Sequence, residues 1–288
     1  MVGVDGSAAA LDAVRWAART AAGADRGLRL VMVVPPAASV TGPWARERAE
    51  GRGAALVAAE VCLQEAVGHA AGAGLPRERV DTVVREGRPE RVLADESGRA
   101  ASVVIGSRGR GGFHGLLLGS TGIPLIASAH CPVVVVRGAD VPDGPVVVGV
   151  DGSPGAEAVL VHAFEAAAAR GVALVAVRAW SEPAMDPAVV VLLDLAELAR
   201  AEAAELDRAL EPLRDKYPAV DVVTHVAHGS PAAALIGASG GAGLVVVGTR
   251  GRGPAAGLLL GSVAQALLHH ALCPVAVVRP EHDGPVEP

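Results

Sequence analysis

Two strings in this 288-residue chain have the residue types and spacing to hold a phosphate. In the first, Gly106 is followed by two residues, Gly109, nine residues and then Gly119-Ser120. In the second, Gly248, Gly251 and Gly261-Ser262 keep the same spacing. Each string begins where a Val-rich run ends and feeds an apolar stretch with helical spacing. Glycine lets backbone N–H groups turn inward with no Cβ in the way. A helix starting behind such a loop adds unpaired N–H groups and the positive end of its dipole. Ser120 and Ser262, expected at that helix start, can donate hydroxyls. Arg108, Arg110, Arg250 and Arg252 are near enough in sequence to supply charge. A surface turn is the competing reading for either string alone, but the matched spacing in two copies favours anion binding.

Neither string is a Walker A loop, because no Gly-Lys-Ser/Thr follows the glycines. Nor is it a dinucleotide fingerprint, because it follows the fourth strand of its unit and not the first. The first strands end instead in Val4-Asp5-Gly6-Ser7 and Val150-Asp151-Gly152-Ser153. In open α/β sheets ligands lie at the carboxyl ends of the strands, where the strand order reverses. With the order 3-2-1-4-5, the ends of strands one and four flank that point. Asp5 and Asp151 then face the nucleoside part of a ligand whose phosphates rest on the glycine loop. The competing role for each is a turn or helix-capping residue. No catalytic group is identified: neither a carboxylate pair nor a Ser with a His base recurs in both copies. Cys131 and Cys273 read as small buried apolar side chains. His269 and His270 are adjacent on a helix and point apart, and no Cys-x-x-Cys or His-Glu-x-x-His occurs, so a metal site is not expected.

The duplication extends well beyond the loops. Val2–Ser7 recurs as Val148–Ser153, Val103–Gly111 as Val245–Gly253, and Cys131–Arg137 as Cys273–Arg279, in the same order. Each copy alternates strand and helix signals, the pattern of a parallel sheet covered by helices. The reading is α/β: two tandem doubly wound domains, each a five-stranded parallel sheet flanked by helices. Domain boundaries are set at 1–137 and 146–280, with a Pro/Gly/Asp-rich linker at 138–145 and a tail at 281–288. In the second copy strands are expected at Val146–Val150, Val172–Trp180, Val220–Val226, Leu244–Gly248 and Pro274–Arg279. Ser153 is expected to cap the first helix with Pro154 at its first position. A long helix is placed over Pro187–Lys216. In the first copy the opening strand is short, and Pro124 falls near the first turn of the helix after the loop, where it costs little.

Composition narrows the function. Hydrophobic residues make up 51%, in short Val-rich bursts and Ala/Leu-rich stretches, with no run of eighteen that would span a membrane. A net charge of -6 and 2% aromatics argue against a nucleic-acid surface. Three cysteines make no disulfide framework, and no secretory signal opens the chain, so a cytoplasmic protein with reduced thiols is expected.

Gly-x-x-Gly, nine residues and Gly-Ser, set behind Val-Asp-Gly-Ser strands, closely resembles the ATP-binding universal stress protein family, twice over nearly the whole chain. The resemblance implies ATP, with or without Mg²⁺, and a regulator of stress adaptation with weak hydrolysis at most. A slow ATPase or other nucleotide-dependent enzyme, and a dimerisation module without nucleotide, are the alternatives. It further implies that Asp5 and Asp151 contact adenosine and that Val33 and Ala179 offer backbone contacts to adenine. Gly106, Gly109, Gly119 and Ser120 then hold phosphate in one copy, and Gly248, Gly251, Gly261 and Ser262 in the other. The family also implies that the fifth strands, Pro132–Arg137 and Pro274–Arg279, pair within the chain, with a homodimer left open. Nucleic acid and membrane are not expected partners.

Overall fold

The computed structural model describes residues 1–34, 45–109, 120–181, 194–251 and 260–279. The chain divides into two units, Met1–Arg137 and Gly138–Pro288. The first runs β1 (Val2–Val4), α1 (Ala8–Gly23), β2 (Leu28–Val34), α2 (Ala45–Gly72), a 3₁₀ turn at Arg77–Arg79, β3 (Val80–Glu86), α3 (Pro89–Ser97), β4 (Val103–Gly106), α4 (Gly122–Ser128) and β5 (Val133–Val136). Its strands are parallel in the order β3-β2-β1-β4-β5. The second runs β6 (Val146–Gly149), α5 (Ala156–Arg170), β7 (Leu174–Trp180), α6 (Leu195–Lys216), β8 (Val222–His228), α7 (Pro231–Ala238), β9 (Leu244–Gly248), α8 (Ser262–His270) and β10 (Val275–Val278). Its strands are parallel in the order β8-β7-β6-β9-β10.

Valine runs form these strands because both faces of a parallel sheet are covered and β-branched side chains suit the pleat. All four residues of β5 and of β10 are buried. In β3 and β8, each the strand beyond the second strand of its unit, exposed and half-buried residues predominate. Helix α1 reaches the sheet closely because its inner face is mostly alanine: Ala10, Ala13, Ala17, Ala18 and Ala21 are buried with Val14 and Trp16. The approach is tight enough that a Cβ at Gly106, ending β4, would lie 2.5 Å from the Ala9 carbonyl carbon. Helix α6 presents a narrower stripe, Leu206, Leu210 and Leu213. Asp194 caps it by accepting from the N–H groups of Ala196 and Glu197.

Two expectations change. Ser7 caps α1 through the Ala10 N–H, but Ser153 and Pro154 do not begin α5, which starts at Ala156. Pro154-Gly155 instead forms a turn closed by Ala156 N–H to Ser153 O at 3.0 Å, because the residue before proline is biased away from helical angles. Segment 138–145, a linker by composition, packs onto the second unit. Ala139 N–H donates to Leu272 O at 2.8 Å, and the Arg170 guanidinium donates to the carbonyls of Pro142 and Gly243 at 3.1 and 3.2 Å. The strands of the second copy begin or end up to two residues from their expected limits. The α6 described here starts at Leu195, and 187–193 lie outside the described residues.

Carboxylate pairing ties α3 to the sheet edge of the first unit. Glu96, 13% exposed, accepts from Arg85 Nε at 2.7 Å and Arg29 Nη1 at 3.3 Å, while Arg29 Nε also meets Asp81 at 2.8 Å. The Arg85 hydrogen bond holds the Glu96 carboxyl below its ordinary value, against burial, which raises it. A carboxyl lowered in the folded state stabilises the fold above its unfolded pKa, and that contribution fades as pH falls through the folded value. Glu96→Gln is expected to lose about 1 kcal/mol at neutral pH and to flatten the loss of stability below about pH 4. Thermal unfolding of both proteins between pH 3 and 7 checks this.

Candidate nucleotide-binding site

The site begins with a turn. Gly6 and Gly152 sit at φ 78° and 68°, which only glycine adopts without strain, directly after β1 and β6 and their aspartates. The turn folds Asp5 back so that its Oδ1 accepts from the Ser7 N–H at 3.0 Å and the Ser7 hydroxyl at 2.6 Å. Asp151 repeats it, its Oδ1 accepting from the Ser153 N–H at 2.9 Å. The other carboxylate oxygen faces the glycine loop. A Cβ at Gly109 would lie 2.6 Å from Asp5 Oδ2, and one at Gly251 would collide with Asp151 Oδ2. Each aspartate thus takes the turn role weighed from the sequence through one oxygen, while its other oxygen meets the loop.

In the second unit the loop closes on itself. Gly261 N–H donates to Thr249 O at 2.7 Å, which brings the two ends of the glycine string together. A Cβ at Gly261 would sit 3.5 Å from Arg250 Cα and 3.8 Å from Gly251 N. Helix α8 starts at the next residue, Ser262, and no side chain caps it. Its first N–H groups and dipole thus offer positive potential beside the loop.

Asp151, Ala179, Gly248, Arg250, Gly251, Gly261 and Ser262 all line one cavity of about 440 Å³ at the carboxyl ends of β6, β7 and β9. The volume lies in the range of small-ligand sites. At the β9 side are the loop, Arg250 and the α8 terminus. From β7 come Val177, Ala179 and Trp180, and α7 adds Leu235, which packs against Gly149 of β6. The wall also holds residues that motif reading missed. Arg178 is 4% exposed and pairs through Nε with Glu202 of α6. Trp180 stands 4.8 Å, ring to ring, from His228. A strand arginine paired to a helix residue 24 positions on has no local signature.

In the first unit Asp5, Gly106, Arg108 and Gly109 gather in the same way, and the Ser7 hydroxyl lies 3.3 Å from Arg108 O. Val33 falls one residue past Met32, which registers with Val4, and so lies level with Asp5, one residue before β2 ends at Val34. Ser120 is exposed and stands two residues ahead of α4 instead of opening it, because the helix begins only at Gly122. Gly119 and Arg110 lie outside the described residues, as does Arg252 in the second unit. Among the described residues no cluster of three or more His, Cys, Asp or Glu could hold a metal, and no helix is long and apolar enough to cross a membrane.

Comparison with known proteins gives a consistent picture. The model of the universal stress protein family matches residues 1–137 and again 144–279. A universal stress protein of Mycolicibacterium smegmatis is 38% identical, the alignment covering 97% of this chain and 96% of that protein. One from Mycobacterium tuberculosis is 40% identical, with 97% and 96% covered. The crystal structure of a universal stress protein from Archaeoglobus fulgidus shares the fold at a TM-score of 0.67 and 20% identity, covering 99% of this chain and 97% of that one.

The contact between aspartate and loop glycine can be measured directly. Gly251→Ala is expected to destabilise the second unit by about 1–3 kcal/mol by overpacking against Asp151. In a double-mutant cycle Asp151→Ala should relieve most of that loss, which urea unfolding would show as strong non-additivity.

Proposed function

Since this chain belongs to the universal stress protein family through both of its domains, we propose that it is a nucleotide-dependent regulator of stress adaptation that holds ATP in each domain and acts in the cytoplasm. The observation that carries this reading is the cavity of the second domain, which all seven candidate residues of that domain line. The residues fit such a ligand by chemistry. The uncapped start of α8, the Ser262 hydroxyl and the Arg250 guanidinium donate hydrogen bonds or positive charge, which a triphosphate requires. The Asp151 carboxylate accepts, which suits sugar hydroxyls. Val177, Ala179, Leu235 and Trp180 form an apolar wall for a base, with the backbone at Ala179 able to donate and accept at its edge.

The first domain has the same Asp5–Gly109 contact, so Val33, Gly106, Arg108, Gly119 and Ser120 are assigned the matching roles. If Mg²⁺ accompanies the phosphates, Asp5 and Asp151 are the carboxylates that touch the glycine loops.

Protein purified without added nucleotide and then denatured is expected to release an adenine nucleotide identifiable by mass. Gly109→Ala combined with Gly251→Ala should weaken ATP binding at least about 10-fold in a calorimetric titration. No released nucleotide together with no titration signal would sink the proposal. Multiple-turnover ATP hydrolysis that the same double variant abolishes would move the assignment to a slow ATPase.

A further inference from the structure

The two domains are unequal at one place in the site. In the sheet register Val4 pairs with Met32, and Gly149 pairs with Val177, so the next step sets Val150 opposite Arg178. Met32 and Arg178 are therefore equivalent positions. The covering helices match as well. Leu63, Val67 and Ala70 of α2 and Leu206, Leu210 and Leu213 of α6 are the same buried stripe, spaced four and then three apart. Four residues ahead of each stripe stand Ala59, fully buried, and Glu202. Where the first domain has Met32 and Ala59, the second has a buried arginine paired with a glutamate, both on the cavity wall.

Stability does not account for that exchange. Replacing such a pair by well-packed apolar side chains is often neutral for stability, and Met32 with Ala59 shows that this fold packs without it. The guanidinium has five N–H donors and no acceptor, and its hydrogen bond among the described residues is from Nε to Glu202. Val177, Ala179, Trp180 and Leu235 line the same cavity. Arg178 also lies on the far side from the phosphate elements. These follow β9, two strands from β7 and hence about 9–10 Å away.

We propose that Arg178 is a specificity-determining residue of the second site. It donates to an acceptor on the ring of the bound nucleotide, a purine ring nitrogen, and Glu202 is the positioning residue that fixes the plane of its guanidinium. The first site holds its ligand without this contact. The inference rests on the nucleotide reading above and adds that the two sites discriminate differently.

The test uses the full chain carrying Gly109→Ala, so that only the second site reports. Arg178→Met with Glu202→Ala installs the pair that already packs in the first domain, and circular dichroism verifies the fold. Calorimetric titration with ATP, AMP and the 1-, 3- and 7-deaza analogues of AMP is the readout. The double exchange should weaken both ATP and AMP about 10- to 100-fold, the range of a hydrogen bond from a charged donor. One deaza analogue should bind the parent correspondingly weakly and bind the exchanged protein no worse than AMP does. Arg178→Lys, which keeps the charge but loses the fork, should fall between them. The proposal is overturned if the exchange changes AMP binding by less than about 2-fold, well under one hydrogen bond. It is also overturned if the loss occurs with ATP and not AMP, which places Arg178 at the phosphates. Absence of any nucleotide binding by the unsubstituted chain removes the nucleotide reading itself, whereas binding indifferent to Arg178 removes this inference alone.

Discussion

Everything at the carboxyl end of each sheet depends on one close approach: an aspartate oxygen set against an α-carbon that has no room for a Cβ. Asp5 meets Gly109, and Asp151 meets Gly251, in the same geometry. The contact constrains three elements at once. The strand must end at the aspartate, the turn after it must pass through a glycine with positive φ, and the loop from the fourth strand must lie flat against the carboxylate. A carboxylate tucked into its own turn through Oδ1 gives up one oxygen to local structure. In the second domain the other is left at the cavity, against the loop that leads into α8. Acceptor and donors thus face one interior from adjacent strands, an arrangement that suits a ligand with hydroxyls at one place and negative charge at another.

The α/β class and the duplication were legible because both are written in local, repeated signals. Val-rich runs alternate with Ala/Leu-rich ones, and the Gly-x-x-Gly spacing occurs twice. The aspartates and glycines could be named for the same reason, since each stands at the end of a strand that its own valines announce. What escaped was set by packing between distant segments. The Arg178–Glu202 pair joins a strand to a helix, and nothing near Glu202 distinguishes it from the other carboxylates of α6. The start of α5 was misplaced because Ser-Pro-Gly satisfies the rules for a cap and for a turn equally, and the turn prevailed. Copy one, with a sequence almost identical there but no proline, starts its helix directly after Ser7.

The helices show how unevenly covering is achieved in a duplicated fold. Helix α1 relies on alanine to come close, and the sheet answers with Gly106. Helix α6 relies on three leucines near its carboxyl end, so its opening turns are held by the Asp194 cap and by Glu202. Small side chains permit contact between backbones, whereas large ones fill a wider gap. Both solutions occur in this fold, a small-residue helix close against the sheet and a leucine-striped helix filling a wider gap.

The segment 138–145 bears on how the molecule can be divided. Its carbonyls receive the Arg170 guanidinium, and Gly138, at φ 63°, rests so closely on the Leu272 carbonyl that any side chain there would collide. By composition this stretch is a hinge to be trimmed, and a fragment beginning at Val146 would look complete. Such a fragment would strip Arg170 of two of its acceptors, the carbonyls of Val141 and Pro142, and uncover the loop ahead of β10. The natural seam lies before Gly138. A gene that donates its second half to another protein must carry those eight residues along, as part of the module and not as the thread between modules.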